Sequence, residues 1–398
     1  MSKVIMAYSG GLETTACIHW LKHRKGFDVI TCSADLGQED SAEALSERAL
    51  ALGVSSVHIA DLRERFISEF AFPALRAGAC SEAGSYLSVA LSRAIITEEV
   101  VRIAQENNCK HIAHGGRGKS NDQARFVLTV AALAPKLKVI APLREPQLMT
   151  RKSVIEYAKK YSLPIQVQDR ITYNEDMNVW GACMSSIEIE DLWKEAPESL
   201  FRMTASHAKA PDKPEELVID FERGLPVGLD GERMEPLDLV ENLNKRAGKH
   251  GIGRRDAIEN FTSGYKTRIV YESPAAEVLY TARRALQEIV LSGDVINIQK
   301  SLSQRYSELV YRGDWFTPLR EALDQFFIES QHNVTGRVRL RLFKGQCTPV
   351  GRESEFSLYD RNLATGGEHD AFDYSAAHGF LDIISIVRKL EAYQREKE

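Results

Sequence analysis

The sequence predicts an α/β protein: a doubly wound parallel sheet covers residues 1–165, a mixed α+β domain covers 166–360, and a helix with its tail covers 361–398. Three observations predict it. Apolar, β-branched runs alternate with helical-period segments through the first part of the chain. Two of those runs end in glycine-rich loops, and the alternation stops after Pro164.

Taken in order, residues 4–8 read as a strand, 12–23 as a helix, 28–33 as a strand, 42–52 as a helix and 56–60 as a third strand. A long helix is expected over 86–107, then a strand at 110–113, a helix at 121–132, a strand at 137–141 and a helix at 151–161. Parallel sheets of this kind bind ligands beyond the carboxyl ends of their strands. Residues 170–215, with Pro197, Pro211 and Pro214, read as an irregular connection or active-site loop. A strand is expected at 218–221, a turn at 229–231 and a helix at 237–247. In 334–343, Val338, Leu340 and Leu342 alternate with Arg337, Arg339 and Arg341, so the arginines read as a solvated face. Lys344-Gly345 is a hairpin turn signal. Residues 379–397 form an amphipathic helix that needs a partner for its apolar side.

Composition narrows the class without naming a chemistry. The 398 residues carry 51 Lys+Arg and 56 Asp+Glu, a net charge of −5, with 43% hydrophobic and 27% charged residues. These values fit an ordinary globular protein and exclude a general attraction to nucleic acid or anionic lipid. No apolar run is long enough to span a membrane. The six cysteines are scattered without a CxxC pair, which reads as reduced thiols in the cytoplasm and not as a disulfide frame or zinc site.

The strongest local signal is Ser9-Gly10-Gly11-Leu12-Glu13-Thr14-Thr15, directly after the first strand. Glycines let backbone N–H groups converge on an anion, hydroxyls add donors, and the next helix offers its positive end. The plain alternative is a strand-to-helix turn with a hydroxyl cap. A second loop, 113–120, ends Gly118-Lys119-Ser120 like the phosphate loop GxxxxGKS/T, but Ala113 stands where that motif requires glycine. A kinase-like protein that cleaves between the β- and γ-phosphates is the rival reading, and two glycine-rich loops on one sheet argue against it, since a phosphate-loop cradle needs only one.

The first loop resembles the SGGLDTS loop of N-type ATP pyrophosphatases, and HGGRGKSNDQARF (114–126) resembles the HGATGKGNDQVRF segment of the argininosuccinate synthase family. Similar stretches continue in order: ADLGQ (34–38), APKLKVIAP (134–142), AGKHGIG (247–253), IENFTSGYKTRIVYE (258–272) and GRESEFSLY (351–359). The resemblance implies an N-type ATP pyrophosphatase fold for the first domain. It also implies a ligase that adenylates the ureido oxygen of citrulline with ATP, releasing pyrophosphate, and then lets aspartate displace AMP. Mg²⁺ on the phosphates and a homotetramer clasped by the terminal helix follow from the same resemblance.

Residue by residue, the resemblance assigns ATP to Ala7, Tyr8, Ser9, Gly10, Gly11, Leu12, Glu13, Thr14, Thr15, Ala34, His114, Gly115 and Gly118. Ser9, Asn121 and Asp122 are its candidate catalytic residues, with Asn121 and Asp122 holding aspartate. Tyr86, Ser92, Arg125, Asn174, Cys183, Glu259 and Tyr271 fall on citrulline-contact positions, and Arg117 on an aspartate contact. Arg125 suits a carboxylate and Glu259 an ammonium. Metal ligands are not assigned.

Several of these positions depart from the family pattern. Glu13 replaces Asp, Arg117 replaces Thr, Ser120 replaces Gly, Asn174 and Cys183 replace Ser, and Phe261 replaces Arg. The family's GTS element after Tyr86 is absent, with Ser92 as the candidate substitute for its serine. Loss of hydroxyls from a hydrogen-bonding site changes specificity. Two alternatives to citrulline–aspartate ligation follow: an adenylating ligase with another ureido or amide acceptor or another amine, and a catalytically weak ATP-binding regulator.

Overall fold

The computed structural model describes residues 2–38, 41–118, 120–164, 173–364 and 371–397. The chain divides into two compact units, Met1–Phe356 and Ser357–Glu398.

The first unit begins with strands β1 (Lys3–Ala7), β2 (Asp28–Asp35), β3 (Ser56–Asp61), β4 (His111–Ala113) and β5 (Lys138–Ile140). They form one parallel sheet in the order β3-β2-β1-β4-β5. Order reverses between β1 and β4, so the loops leaving these two strands open at the switch point. Val4, Ile5 and Met6 of β1 are fully buried because both faces of the sheet are covered. Helices α1 (Leu12–Lys25) and α2 (Ala42–Ala51) lie on one face. The run α3 (Arg63–Phe66) and α4 (Phe72–Ala77) is joined by a π-turn at Ile67–Ala71. On the other face lie α5 (Ser88–Glu106) and α6 (Asn121–Leu133), while α7 (Arg151–Lys160) returns to the first. Helix α5 starts two residues later than the sequence suggests, since Leu87 takes a left-handed φ of 59°. The doubly wound parallel sheet expected from the sequence is present.

Beyond residue 172 the sheets are antiparallel. Strands β6 (Tyr173–Asn178) and β7 (Gly181–Ser186) precede β8 (Glu215–Glu222), β9 (Leu225–Leu229), β10 (Glu232–Arg233) and helix α8 (Pro236–Lys249). The hairpin β11 (Arg254–Asn260) and β12 (Lys266–Glu272) leads to helices α9 (Pro274–Val290), α10 (Gly293–Arg312) and α11 (Pro318–Ser330). Strands β13 (Gly336–Phe343) and β14 (Gln346–Glu353) complete the sheet β10-β9-β8-β13-β14, and the other sheet runs β11-β12-β7-β6. The β6–β7 hairpin corrects the expected irregular segment at 170–215. YNEDMN and GACMSS lack β-branched alternation, and pairing of β7 to β12 supplies what propensity does not. Val338, Leu340 and Leu342 are fully buried, while Arg337 and Arg341 face outward onto Glu353 and Glu216. Lys344 and Gly345, both at positive φ, turn β13 into β14.

The second unit holds α12 (Arg361–Ala364) and α13 (Tyr374–Arg395), the latter capped by Asp373. Phe380, Leu381, Ile384, Val387 and Leu390 of α13 are exposed. Among the described residues, no helix is long and apolar enough to cross a membrane.

Candidate active site

The first glycine-rich loop is built by the end of β1. Tyr8 still belongs to the ladder: its N–H donates to the Cys32 carbonyl (2.8 Å), and its own carbonyl accepts from Ser33 Oγ (2.8 Å). The chain then turns at Gly10, whose φ is +74° and whose missing Cβ leaves room for Leu45 and Arg48. Gly11 caps α1, and its carbonyl accepts from Thr15 N–H (3.0 Å) and Thr14 Oγ1 (3.2 Å). Ser9 Oγ lies 3.2 Å from Thr14 Oγ1, and Tyr8 OH 3.4 Å from Thr15 Oγ1. Hydroxyls and first-turn amides thus gather at the positive end of α1, where Leu12 and Glu13 begin the helix.

The second loop follows β4. His114 is buried and stacked on Phe126 at 4.9 Å, and its Nδ1 accepts the Gly116 N–H (3.0 Å). Burial holds this imidazole down at about 4, with Arg144 acting in the same sense, so the ring is neutral at physiological pH. Gly115 packs on Thr14, where a Cβ would approach Thr14 Cγ2 to 2.6 Å, locking the two loops together. Gln123 donates to the Gly116 carbonyl (3.0 Å) and accepts from Arg144 (2.7 Å). Across the mouth, Arg117 pairs with Glu13, and Arg151 lies 3.3 Å from the same Glu13 oxygen. Two guanidiniums against one carboxylate leave this mouth net positive, which suits a polyphosphate.

Beside the loops, a cleft of ≈ 470 Å³ runs to the β11–β12–β7–β6 sheet. Its wall carries an alternating ion chain. Asp176 and Arg93 are 2.6 Å apart, Arg93 and Asp122 2.9 Å, and Asp122 and Arg125 2.9 Å. Burial alone would raise the Asp122 carboxyl, but Arg93 and Arg125 together hold it below its usual value. Arg125 also donates through Nε to the Tyr311 carbonyl (3.0 Å), while its Nη2 has no hydrogen-bond partner among the described residues.

Asn121 ties three elements. Its Nδ2 donates to Tyr311 OH (3.0 Å) and its Oδ1 accepts from Thr262 N–H (2.9 Å). Glu259, only 2% exposed, accepts from Ser81 (2.9 Å), Ser85 (3.2 Å) and Tyr311 (3.3 Å), with Tyr271 also bonded to it. No cation pairs with Glu259 among the described residues, so a buried carboxylate stands at the cleft with hydroxyl donors and no counter-charge. Burial, then the neighbouring Cys183 and Glu259, push the Tyr271 phenol well up. Cys183, opposite Asp176 in the β6–β7 register, has its thiol pushed up by burial and by Asp176.

Ser9, Glu13, Thr14, Gly115, Arg117, Ser120, Asn121, Asp122, Arg125, Cys183, Glu259, Phe261 and Tyr271 therefore line one cleft. Tyr86 does not: its hydroxyl donates to Glu277 (2.8 Å) and its ring packs on Tyr280 at 4.4 Å, toward α9. Ser92 is 2% exposed and donates to the Val89 carbonyl (2.9 Å) of its own helix. Ala34 is the penultimate residue of β2, with its carbonyl accepting from Gln38 (2.6 Å), and Gly118 is an exposed turn residue. Asn174 lies in β6, but its side chain falls outside the described residues. Sequence reading passed over Arg93, Asp176 and Tyr311. An arginine inside the apolar run of α5 was a usable signal for Arg93. Nothing local marks Asp176 in an irregular-looking segment, or Tyr311 in the last turn of an amphipathic helix.

The sheet order, the paired strand-end loops and the adjoining antiparallel domain define a nucleotide-binding α/β protein with a second domain completing its cleft. Two family models match it: the arginosuccinate synthase N-terminal HUP domain over residues 3–164 and the arginosuccinate synthase C-terminal domain over residues 173–391. The chain belongs to the argininosuccinate synthase family. It is 42% identical over 397 residues to the argininosuccinate synthase of Pelotomaculum thermopropionicum, covering 100% of this chain and 99% of that one. It is 44% identical over 391 residues to that of Symbiobacterium thermophilum (98% and 97% covered), and 43% identical over 384 residues to that of Chlorobium phaeobacteroides (96% of each).

Proposed function

We propose that this chain joins citrulline to aspartate at the expense of ATP, giving argininosuccinate, AMP and pyrophosphate. One observation carries the reading: an anion-binding loop pair shares a cleft with Arg125 and the cation-free carboxylate of Glu259. The loop amides with Ser9, Thr14 and Thr15 hold the triphosphate, and the Arg117–Glu13–Arg151 group stands at its mouth. Arg125 Nη2 takes an amino-acid carboxylate, and Glu259 takes an α-ammonium in place of part of its hydroxyl shell. Asn121 and Asp122 fix the aspartate side.

The ureido oxygen attacks the α-phosphorus, the bond to the β-phosphate oxygen breaks, and pyrophosphate leaves. The amine of aspartate then attacks the adenylated carbon, loses its proton and expels AMP. The chain contributes positioning and charge stabilisation here, since neutral His114 faces Gly116 and the carboxylates are ion-paired or hydroxyl-bound. Mg²⁺ would have to rest on phosphates and water. Glu13, the carboxylate in the loop, is committed to two arginines, and among the described residues no group of three or more His, Cys, Asp or Glu could cage a metal. No step is routed through it.

The working parts are an ATP domain (1–165), a synthetase domain (166–360) and an oligomerisation tail (361–398), acting in the cytoplasm as a homotetramer. The exposed apolar residues of α13 support the last point, and deleting the tail without a change in solution mass would refute it. Incubation with ATP, Mg²⁺, citrulline and aspartate should yield AMP and pyrophosphate. ADP, or ATP binding without turnover, would overturn the reading. A second reading, a ligase with another amine or acceptor, is favoured by one observation: Arg117, on a family aspartate-contact position, is paired with Glu13. AMP formation only with a different ureido or amide acid would establish it.

A further inference from the structure

A second, larger cavity of ≈ 1070 Å³ lies between α9, α10 and the segment around Gly78–Glu82, and shares only Phe261 and Tyr311 with the cleft. Arg283 of α9 lines it and is 6% exposed. Its Nη2 donates to the Arg76 carbonyl (2.8 Å), and its guanidinium lies against Gly78, where a Cβ would come within 2.9 Å of Nη1. Its Nε has no hydrogen-bond partner, and among the described residues no carboxylate pairs with it. A guanidinium withdrawn from water without a counter-ion is strongly unfavourable. Burial, with Arg284 adding to it, pushes the Arg283 group down to about 10.

Three further cations line the same cavity: Arg284, Lys300 and Arg312, none of them in an ion pair among the described residues. Two of the three carboxylates that line it are neutralised by cations outside it: Glu288 pairs with Arg352 (3.1 Å) and Glu308 with Arg305 (2.8 Å). Among the described residues Glu82 accepts only from Asn260 (2.9 Å), also in the wall, and keeps its charge, so four cations face one uncompensated carboxylate. The cavity is therefore a concave, cation-lined site with a buried guanidinium in its wall, and nothing in the proposed ligase reaction uses it.

We propose that this cavity binds a small, multiply charged anion bearing carboxylate or phosphate groups, seated on Arg283 and enclosed by Arg284, Lys300 and Arg312. Both chemistries match the guanidinium fork, and the volume admits a metabolite-sized ligand.

Calorimetric titration of the full-length protein with citrate and, separately, with inorganic phosphate tests it and distinguishes the two sources. At least one anion should bind with unit stoichiometry. Arg283→Met, and the rim double variant Arg284→Ser/Lys300→Ser, should each weaken that binding about tenfold or more. Arg117→Thr, in the cleft, should leave it unchanged. The rim pair keeps the test decisive where Arg283→Met does not fold. Absence of binding by both anions, or loss with Arg117→Thr but not with the cavity variants, would overturn the proposal. ATP binding, followed in a separate titration, reports on the ligase reading and not on this cavity.

Discussion

Glu13 and Arg117 meet as an ion pair across the mouth of the nucleotide loops, joining the start of α1 to the loop after β4. Both stand where the family motif has other residues, so the two departures compensate each other. The lengthened carboxylate reaches the new guanidinium. The pair is partly exposed, and its coupling is about 1 kcal/mol, roughly fivefold in an ATP KM. Arg117→Thr or Glu13→Asp alone should each raise the KM for ATP, and the double variant should recover most of the loss. Steady-state kinetics on the four proteins measures this, and strictly additive effects would show that the contact carries no coupling.

Asn121 links the nucleotide domain to the opposite wall, through Tyr311 OH and Thr262 N–H. Asn121→Ala leaves both partners without that bond in a part-buried place, at a cost of about 1–3 kcal/mol. Because these bonds position the β11–β12 hairpin that carries Glu259, the KM for the amino-acid substrates should rise more than the KM for ATP. Equal changes in both would place the role of Asn121 in general stability.

Asp122 sits between Arg93 and Arg125, and its carboxyl titrates below its unfolded value near about 3.9. A depressed carboxyl contributes stability that is present above the unfolded value and lost as pH falls through the folded one. Stability attributable to Asp122 should therefore be flat between about pH 5 and 8 and decline only in stronger acid. Asp122→Asn should lower stability at neutral pH, by about 3–5 kcal/mol if Arg93 and Arg125 stay buried, and flatten the acid limb of a denaturation series. An acid limb as steep as in the unmodified protein would sink the assignment.

The nucleotide half was legible because its physics is local. Strand β1, Ser9-Gly10-Gly11 and the α1 start follow one another within a few residues, and period and turn chemistry identify each. Arg125 and Glu259 became legible only through family resemblance. Taken alone, one is an arginine on an amphipathic helix and the other a strand carboxylate. Tyr86 shows the opposite case: its motif position matches, yet an acceptor on α9, Glu277, draws its hydroxyl out of the cleft. Asp176 was illegible because β6 owes its existence to pairing with β7, which no sequence period records.

His114 gives the most discriminating pH prediction. Its imidazole is buried, stacked on Phe126 and held neutral, with a folded value of about 4 against about 6.5 unfolded. As pH falls below about 6.5, the unfolded chain takes up a proton that the folded chain refuses, so stability is lost progressively until about pH 4. The shift corresponds to roughly 3–4 kcal/mol. His114→Phe keeps a ring for Phe126 but removes the titrating group and the acceptor for Gly116 N–H. It should lose this part of the slope in urea denaturation between pH 6.5 and 4, while raising the ATP KM at pH 7.5, where the native imidazole is already neutral. If the variant keeps the full slope, another histidine accounts for it. If its ATP KM is unchanged, the Nδ1 contact does not hold the loop.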